Sequence, residues 1–176
     1  MTENRNLYLI GPMGSGKTAV GRQLAKLLHL EFHDSDVEVE RRTGVDIPYI
    51  FEREGEAGFR EREREVIDSL TQLSNVIIAT GGGAVLLPEN REHLASRGHV
   101  VYLKTSIQQQ LERTRHGRQR PLLFTEDPEQ RLKDLMAHRA PLYESIATIT
   151  VTTDGRHVRA VADEIIERLS TQVSGE

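Results

Sequence analysis

The residues most clearly suited to chemistry lie near the start of the chain, in the segment GPMGSGKT at 11–18, which has the spacing G-x-x-x-x-G-K-[ST]. Gly14 and Gly16 have no Cβ and tolerate a positive φ, so consecutive N–H groups can turn toward one phosphate. A helix that starts here adds the partial positive charge of its N-terminus. The Lys17 ammonium is then placed to reach the β- and γ-phosphates of a nucleotide, and the Thr18 hydroxyl to bind Mg²⁺.

The residues on either side favour this phosphate-binding interpretation over a glycine-rich turn that holds no ligand. The apolar run at 7–10 is typical of a buried parallel strand. After Gly16, apolar residues recur at helical spacing as far as Leu28. The sequence therefore predicts a strand, a phosphate-binding loop and a helix in that order.

Two acidic residues follow the next predicted strand, at 30–33. Asp34 and Asp36 would lie at the carboxyl end of that strand, on the same side of a parallel sheet as the phosphate loop. One interpretation is that one aspartate holds Mg²⁺ through water, while the other accepts a hydrogen bond from the group to be phosphorylated. The alternative is that they cap the helix predicted at 37–42, because Asp is a favoured N-cap residue.

An arginine stands at a break in the next helical region. A helix is predicted to start at Asp46, glycines over 55–58 interrupt the pattern, and a second helix is predicted from Phe59 to about Leu73. Arg60 would lie at the start of this second helix, where a ligand can approach, and Glu63 could fix its orientation. The alternative for Arg60 is a surface ion pair.

Two later segments also suggest ligand contacts. Glycines at 81–83 directly follow the strand predicted at 76–80, which indicates a close approach of backbone and ligand rather than a flexible connection. Residues 114–123 are polar and strongly basic and have no helical periodicity. Such a segment is typical of a lid that closes on ATP and brings an arginine to the developing charge. The alternative is a plain solvated loop.

The rest of the pattern sets the fold. Further strands are predicted at 99–103 and 147–151, and further helices at 88–97, 106–113, 128–143 and 158–169. Pro88 and Gly98 are typical of the first position of a helix and of the residue after its end. Arg139 stands just before Pro141, which suggests a shaped helix end. Strands that alternate with helices along the whole chain predict an α/β fold with a parallel sheet covered on both faces.

Composition limits the classes of function. A chain of 176 residues suits one domain, and a net charge of −4 argues against non-specific nucleic-acid binding. There is no cysteine, so disulfides, zinc–thiolate sites and thiol nucleophiles are excluded, and the seven histidines show no metal-binding spacing. No apolar run is long enough to span a bilayer, and the N-terminus lacks the apolar region of a signal peptide. We therefore expect a cytoplasmic protein without membrane partners.

The order and spacing of these segments resemble those of the shikimate kinase family over essentially the whole chain. The shared motifs are GPMGSGKT at 11–18, DSD at 34–36, GFRERE at 58–63, TGGG at 80–83, RPLL at 120–123 and RAPLY at 139–143. The resemblance implies one P-loop kinase domain over 1–176, with a parallel sheet in the order 2-3-1-4-5, a substrate-binding segment at about 33–62 and a lid at about 113–126. It implies transfer of the γ-phosphoryl group of ATP to the 3-hydroxyl of shikimate, with Mg²⁺, on the route to the aromatic amino acids. We expect a monomer.

The resemblance also assigns roles by position. ATP would contact Gly14, Ser15, Gly16, Lys17, Thr18, Ala19, Arg113, Arg120 and Arg156. Shikimate would contact Asp36, Arg60, Gly82, Gly83 and Arg139, with the two arginines on its carboxylate and Glu63 orienting Arg60. Thr18 and Asp34 would hold Mg²⁺, the second through water. Lys17, Asp36 and Arg120 would be the catalytic residues, and the sequence leaves open whether Asp36 is a base or a positioning group.

Two rival functions fit part of the pattern. A gluconate kinase of the same fold would also use a compact carboxylate acceptor, so ADP release with gluconate and with shikimate distinguishes the two. A GTP-dependent switch would bind partners instead of a metabolite, but the chain contains neither N-K-x-D nor D-x-x-G.

Overall fold

The computed structural model describes residues 5–114 and 127–175 of the chain. Its strands form one parallel sheet in the order β2-β3-β1-β4-β5. The strands are β1 (Leu7–Ile10), β2 (Glu31–Asp34), β3 (Val76–Ala79), β4 (His99–Lys104) and β5 (Ile149–Thr152). The α/β fold and the strand order expected from the sequence are confirmed.

Helices connect successive strands and cover the sheet. They are α1 (Lys17–Leu28), α2 (Ser35–Thr43), α3 (Ile47–Thr71), α4 (Pro88–Arg97), α5 (Ile107–Thr114), α6 (Pro128–Ile146) and α7 (Val158–Val173). Each parallel connection needs such a crossover, since a parallel strand must start at the same end of the sheet as its predecessor. The carboxyl ends of the strands therefore all open toward one edge.

Side chains of the three central strands, β1, β3 and β4, alternate between two separate cores. Tyr8, Ile10 and Ile78 belong to the core beneath α3, α4 and α6. Leu9, Ile77 and Val101 belong to the core beneath α1 and α7. Since consecutive residues of a strand point to opposite faces, a strand buried on both sides is apolar at every position. This explains the uninterrupted apolar runs of β1 and β3, which are buried throughout.

The helical region around Arg60 differs from the prediction. The sequence predicts two helices separated by a break over 55–58, and α3 does consist of two helical segments, but they meet at a kink where Gly55 alone leaves the helical region, with φ 70° and ψ −177°. Gly58 is helical, so the change of chain direction is confined to Gly55, whose positive φ is accessible because glycine has no Cβ. Arg60 consequently lies within the helix, five residues after the kink.

Two helix ends also differ. Gly98 follows α4 in an extended conformation, with φ −175°, so it is not the left-handed cap that the sequence suggests. The helix containing Pro141 continues to Ile146 instead of ending near Tyr143. In the part of the chain that the structure describes, no helix combines the length and apolar character needed to cross a membrane.

Glycine is needed at position 98 because neighbouring atoms leave no room for a side chain. A Cβ there would lie 2.8 Å from the carbonyl oxygen of Asn6 and 2.8 Å from Cε2 of Tyr8. Asn6 is itself fixed, because its side-chain amide donates to the Leu73 carbonyl over 2.7 Å. The backbone at 98, just before β4, therefore lies too close to Asn6 and Tyr8 for a side chain to fit there.

We expect Gly98→Ala to lower the free energy of unfolding by about 1–3 kcal/mol, because the added methyl overpacks this contact. Urea denaturation measures the change. The control is Gly44→Asn, since Gly44 has φ +73° and no atom within 4 Å of its Cβ position, and asparagine tolerates that conformation. Equal losses in the two variants would show that the contact at 98 is not the cause.

Candidate active site

The glycine-rich loop between β1 and α1 has the backbone that phosphate binding needs. Gly14 and Gly16 have φ values of 76° and 89°, and the loop ends at the N-terminus of α1. Glycine is needed at position 11 for a different reason. A Cβ there would lie 2.5 Å from the carbonyl oxygen of Leu103 near the end of β4. Ser15 is fully buried, while Thr18 and Ala19 are exposed on the first turn of the helix.

The Lys17 side chain curls back over this loop. Its Nζ donates to the carbonyl oxygens of Gly11 at 2.6 Å and Pro12 at 2.8 Å. These bonds hold the ammonium, which is almost fully buried, above the strand end. An ammonium has three donors and a flexible stem, so the same group can turn to phosphate oxygens without a change of the backbone.

Asp34 connects the loop to β2 and α2. Its Oδ2 accepts a hydrogen bond of 2.8 Å from the Thr18 hydroxyl. Its Oδ1 accepts from the backbone N–H groups of Asp36, at 2.9 Å, and Val37, at 3.3 Å. The capping interpretation is therefore correct for Asp34, and the cap also fixes the carboxylate beside Thr18.

The first glycine after β3 allows two acidic side chains to approach the strand end. A Cβ at Gly81 would lie 2.7 Å from Oδ1 of Asp36 and 3.0 Å from Oε2 of Glu63. The Gly81 N–H also donates to the Ser35 hydroxyl at 3.1 Å. Asp36 thus lies at the carboxyl edge of the sheet, beside Gly81 and near the buried Glu63 of α3.

Arg60 forms a buried ion pair, so the surface ion pair considered from the sequence is wrong. Its Nη1 donates to Oε1 of Glu63 at 2.9 Å, and its Nη2 to Oε1 of Glu56 at 3.3 Å. Arg60 is 9% exposed and Glu63 1%. Burial raises the pKa of the Glu63 carboxyl, and the charges of Arg60 and Arg139 oppose that rise.

The other two glycines after β3 make room for guanidinium groups. A Cβ at Gly83 would lie 2.5 Å from Cζ of Arg60, and one at Gly82 would lie 3.4 Å from Nη1 of Arg139. Arg139 is 4% exposed, and burial lowers its pKa. The glycine run therefore serves close approach, as the sequence indicates, but the groups that approach in this structure are the protein's own arginines.

Tyr143 is a residue of the site that the sequence reasoning missed. Its hydroxyl donates to the carbonyl oxygen of Gly82 at 2.5 Å, and its ring is fully buried at a centroid distance of 5.0 Å from that of Tyr102. Arg139 lies close enough to the hydroxyl to oppose the rise in its pKa that burial causes. The Tyr143 side chain therefore fixes the Gly82 carbonyl and lies near Arg139, and its spacing of four residues from Arg139 was the available signal.

The other arginines predicted to contact ATP differ in how near they lie to the phosphate loop. Arg113, at the end of α5, donates from Nη1 to the Gly14 carbonyl at 2.9 Å, so it does reach the loop. Arg156 follows β5, and its guanidinium is bound to the Thr152 carbonyl and to Glu164 at 3.1 Å. Arg120 and most of the predicted lid lie outside the described residues.

The combined arrangement can bind two anions side by side. The phosphate loop offers N–H groups and an ammonium, and across the ends of β1 and β3 lie two buried guanidinium groups with one buried carboxylate. An arginine cannot lose its proton in a protein, so positive charge exceeds negative charge among these buried groups. Among residues 5–114 and 127–175, no group of three His, Asp or Glu side chains could hold a metal ion alone.

Known proteins are similar to this chain over nearly its whole length. The family model described as shikimate kinase matches residues 13–170. A shikimate kinase of Legionella pneumophila (strain Paris) is 56% identical over 169 residues, covering 96% of this chain and 97% of the relative. A solved shikimate kinase from Acinetobacter baumannii, in complex with shikimate, is 50% identical with a TM-score of 0.95, covering 97% of this chain and 95% of the other.

A gluconokinase from Sinorhizobium meliloti 1021 is also similar, with a TM-score of 0.56 over 98% of this chain and 95% of the other. Its identity is 17%, so this likeness shows a shared fold alone.

We expect Tyr143→Phe to lower the free energy of unfolding by about 1–3 kcal/mol, because the buried Gly82 carbonyl loses its donor. The matched control is Tyr102→Phe. The Tyr102 hydroxyl is buried and makes no hydrogen bond within the described residues, so its removal should cost little. Chemical denaturation of both variants compares them, and a Tyr102→Phe loss as large as that of Tyr143→Phe would contradict the assignment.

Proposed function

The chain belongs to the shikimate kinase family, and on that premise we propose that it transfers the γ-phosphoryl group of ATP to the 3-hydroxyl of shikimate. The observation that carries the proposal is the pair of buried guanidinium groups of Arg60 and Arg139 beside the phosphate loop. A guanidinium fork pairs in two places with a carboxylate, which is the one charged group of shikimate.

ATP binds in this proposal with its phosphates in the loop of Gly14, Ser15 and Gly16. Lys17 exchanges the carbonyls of Gly11 and Pro12, which are neutral acceptors, for β- and γ-phosphate oxygens, which are charged and form stronger hydrogen bonds with an ammonium. Ala19 and Thr18 add the first-turn N–H groups of α1. Arg113 borders the nucleotide through its contact with the Gly14 carbonyl, while Arg156 would have to leave Glu164 to reach it.

The residues present fit a magnesium ion. Mg²⁺ takes hard oxygen ligands and is commonly held by one or two protein groups together with substrate phosphates and water. The Thr18 hydroxyl and the Asp34 carboxylate supply such oxygens, 2.8 Å apart, at the edge of the loop. When bound, the ion would neutralise charge on the β- and γ-phosphates.

Shikimate occupies the space between the loop and α3. Its carboxylate pairs with Arg60 and Arg139, and Asp36 binds ring hydroxyls. Gly82 and Gly83 present bare backbone to the ring because they have no side chains. Glu63 fixes the Arg60 guanidinium from behind through the 2.9 Å ion pair. This set of contacts presents the 3-hydroxyl to the γ-phosphorus.

In the transfer step, the 3-hydroxyl oxygen forms a bond to the γ-phosphorus and the bond from that phosphorus to the ADP oxygen breaks. The hydroxyl proton leaves toward Asp36, which accepts its hydrogen bond whether it acts as a base or as a positioning group. The transition state is loose, so alignment and charge neutralisation dominate the acceleration. Lys17 supplies part of that neutralisation, and Arg120 supplies more on the strength of the sequence resemblance.

The division of the chain into a substrate-binding segment at about 33–62 and a lid at about 113–126 stays a prediction. The same holds for the monomeric state, the cytoplasmic location and the absence of nucleic-acid and membrane partners.

A coupled assay tests the function directly. ADP release should depend on shikimate together with ATP and Mg²⁺, and gluconate in place of shikimate should give only background. Turnover with gluconate at a rate equal to that with shikimate would contradict the proposal.

We expect Asp36→Asn to lower kcat by about 10²–10⁴-fold, because an amide cannot accept the hydroxyl proton and no longer attracts it. Steady-state kinetics measure the loss, and circular dichroism checks the fold. The matched control is Asp46→Asn, which keeps the N-cap of α3 because asparagine caps as well as aspartate. A near-normal kcat for Asp36→Asn would remove this residue from the transfer step.

We expect Arg139→Lys to raise the KM for shikimate at least about tenfold with a smaller change in kcat, because a point charge replaces a two-pronged donor. Arg159→Lys serves as the control, since Arg159 is an exposed partner of Asp163 on α7. An unchanged KM in Arg139→Lys would show that this guanidinium does not bind the substrate carboxylate.

A further inference from the structure

A second cavity lies away from the active site, between α2 and the first turns of α3. Its volume is about 360 Å³, at the lower end of the range of small-molecule sites. Three arginines line it, namely Arg42, Arg53 and Arg62. None of its lining residues is among those assigned above to ATP, Mg²⁺ or shikimate.

The charge of this cavity is opposite to that of the whole chain. Glu54 is the one acidic residue that lines it, against three arginines, in a protein with a net charge of −4. Arg62 is paired with Glu54 at 2.7 Å, and Arg42 with Glu38 at 2.9 Å. Within the described residues Arg53 has no carboxylate partner, and its guanidinium lies 5.3 Å from the centroid of the Tyr49 ring.

The wall of the cavity is partly apolar. Ile50 is 2% exposed and forms part of the core, and Tyr49 is a large aromatic residue that remains 44% exposed. An anion without an apolar part would leave the exposed Tyr49 ring in contact with water, whereas a ring or short hydrocarbon would cover it.

We infer that this cavity binds a small organic anion, with a carboxylate or phosphate group on Arg53 and an apolar body against Tyr49 and Ile50. Arg53 is the anchor because its guanidinium carries no carboxylate partner that a ligand must displace. Arg42 and Arg62 add positive charge from either side while keeping their own ion pairs.

The site is separate from the shikimate site although both involve α3. Arg60 and Glu63 are buried on the side that faces the sheet edge, while Arg62 and Glu54 are far more exposed and face the second cavity. The Arg62–Glu54 pair spans the kink at Gly55, so the two α3 segments share the cavity wall. A compound that occupies this cavity therefore does not need the shikimate site to be empty.

Titration by ¹H–¹⁵N NMR tests the inference, with the whole protein saturated with shikimate so that the active site is filled. The probes are benzoate and phenyl phosphate, and the neutral isostere benzamide is the control. We expect at least one anion to shift amide signals of residues 42–54 and 62 in a saturable manner, with benzamide at least about tenfold weaker. The absence of saturable shifts with both anions, or equal binding of benzamide, would overturn the inference.

A variant pair locates the bound probe. Arg53→Gln should weaken anion binding at least about tenfold, because it removes the charge-assisted hydrogen bonds. Arg41→Gln should leave it within about twofold, since Arg41 is an exposed partner of Glu38 on the same α2 helix and does not line the cavity. Unchanged affinity in Arg53→Gln would place the probe elsewhere and refute the site.

Discussion

The candidate active site depends on positive charge that the fold keeps out of water. Arg60 and Arg139 are both nearly inaccessible, and the one acidic group buried with them is Glu63. Two guanidinium groups against one buried carboxylate leave an excess of positive charge among the buried groups, and the half-exposed Glu56 also pairs with Arg60 from the surface side. Removing charges from water is costly unless a partner of opposite sign is supplied. In the proposed function the carboxylate of the acceptor is that partner, so the same interaction would select a compact acid.

The parallel sheet makes this arrangement possible. Its strands all end at one edge, so the phosphate loop after β1, the aspartates after β2 and the glycines after β3 come together although they lie far apart in the chain. The absence of side chains at 81–83 lets two carboxylates and two guanidinium groups crowd against the strand end. Asp34 has two roles in the same small region. One of its oxygens caps α2, and the other accepts a hydrogen bond from Thr18.

The sequence predicted the sheet and the phosphate loop well because their patterns are local. An apolar run, a glycine spacing and a helical stripe each depend on neighbouring residues. Contacts between distant segments carry no such pattern. Nothing around residue 60 reveals that Arg60 is buried, and only the helical spacing from Arg139 hinted at Tyr143, whose acceptor is the carbonyl of Gly82, 61 positions away. The kink at Gly55 was predicted too broadly, since two glycines look alike in sequence while only one takes a positive φ.

The most direct test of the central claim is calorimetric titration of the nucleotide-free protein with shikimate and with its methyl ester. The ester keeps the ring and hydroxyl groups but carries no charge. If excess buried positive charge selects the acceptor, the ester should bind at least about a hundredfold more weakly, as expected from the loss of charge-assisted hydrogen bonds to two guanidinium groups. Equal affinities for the acid and the ester would contradict the account.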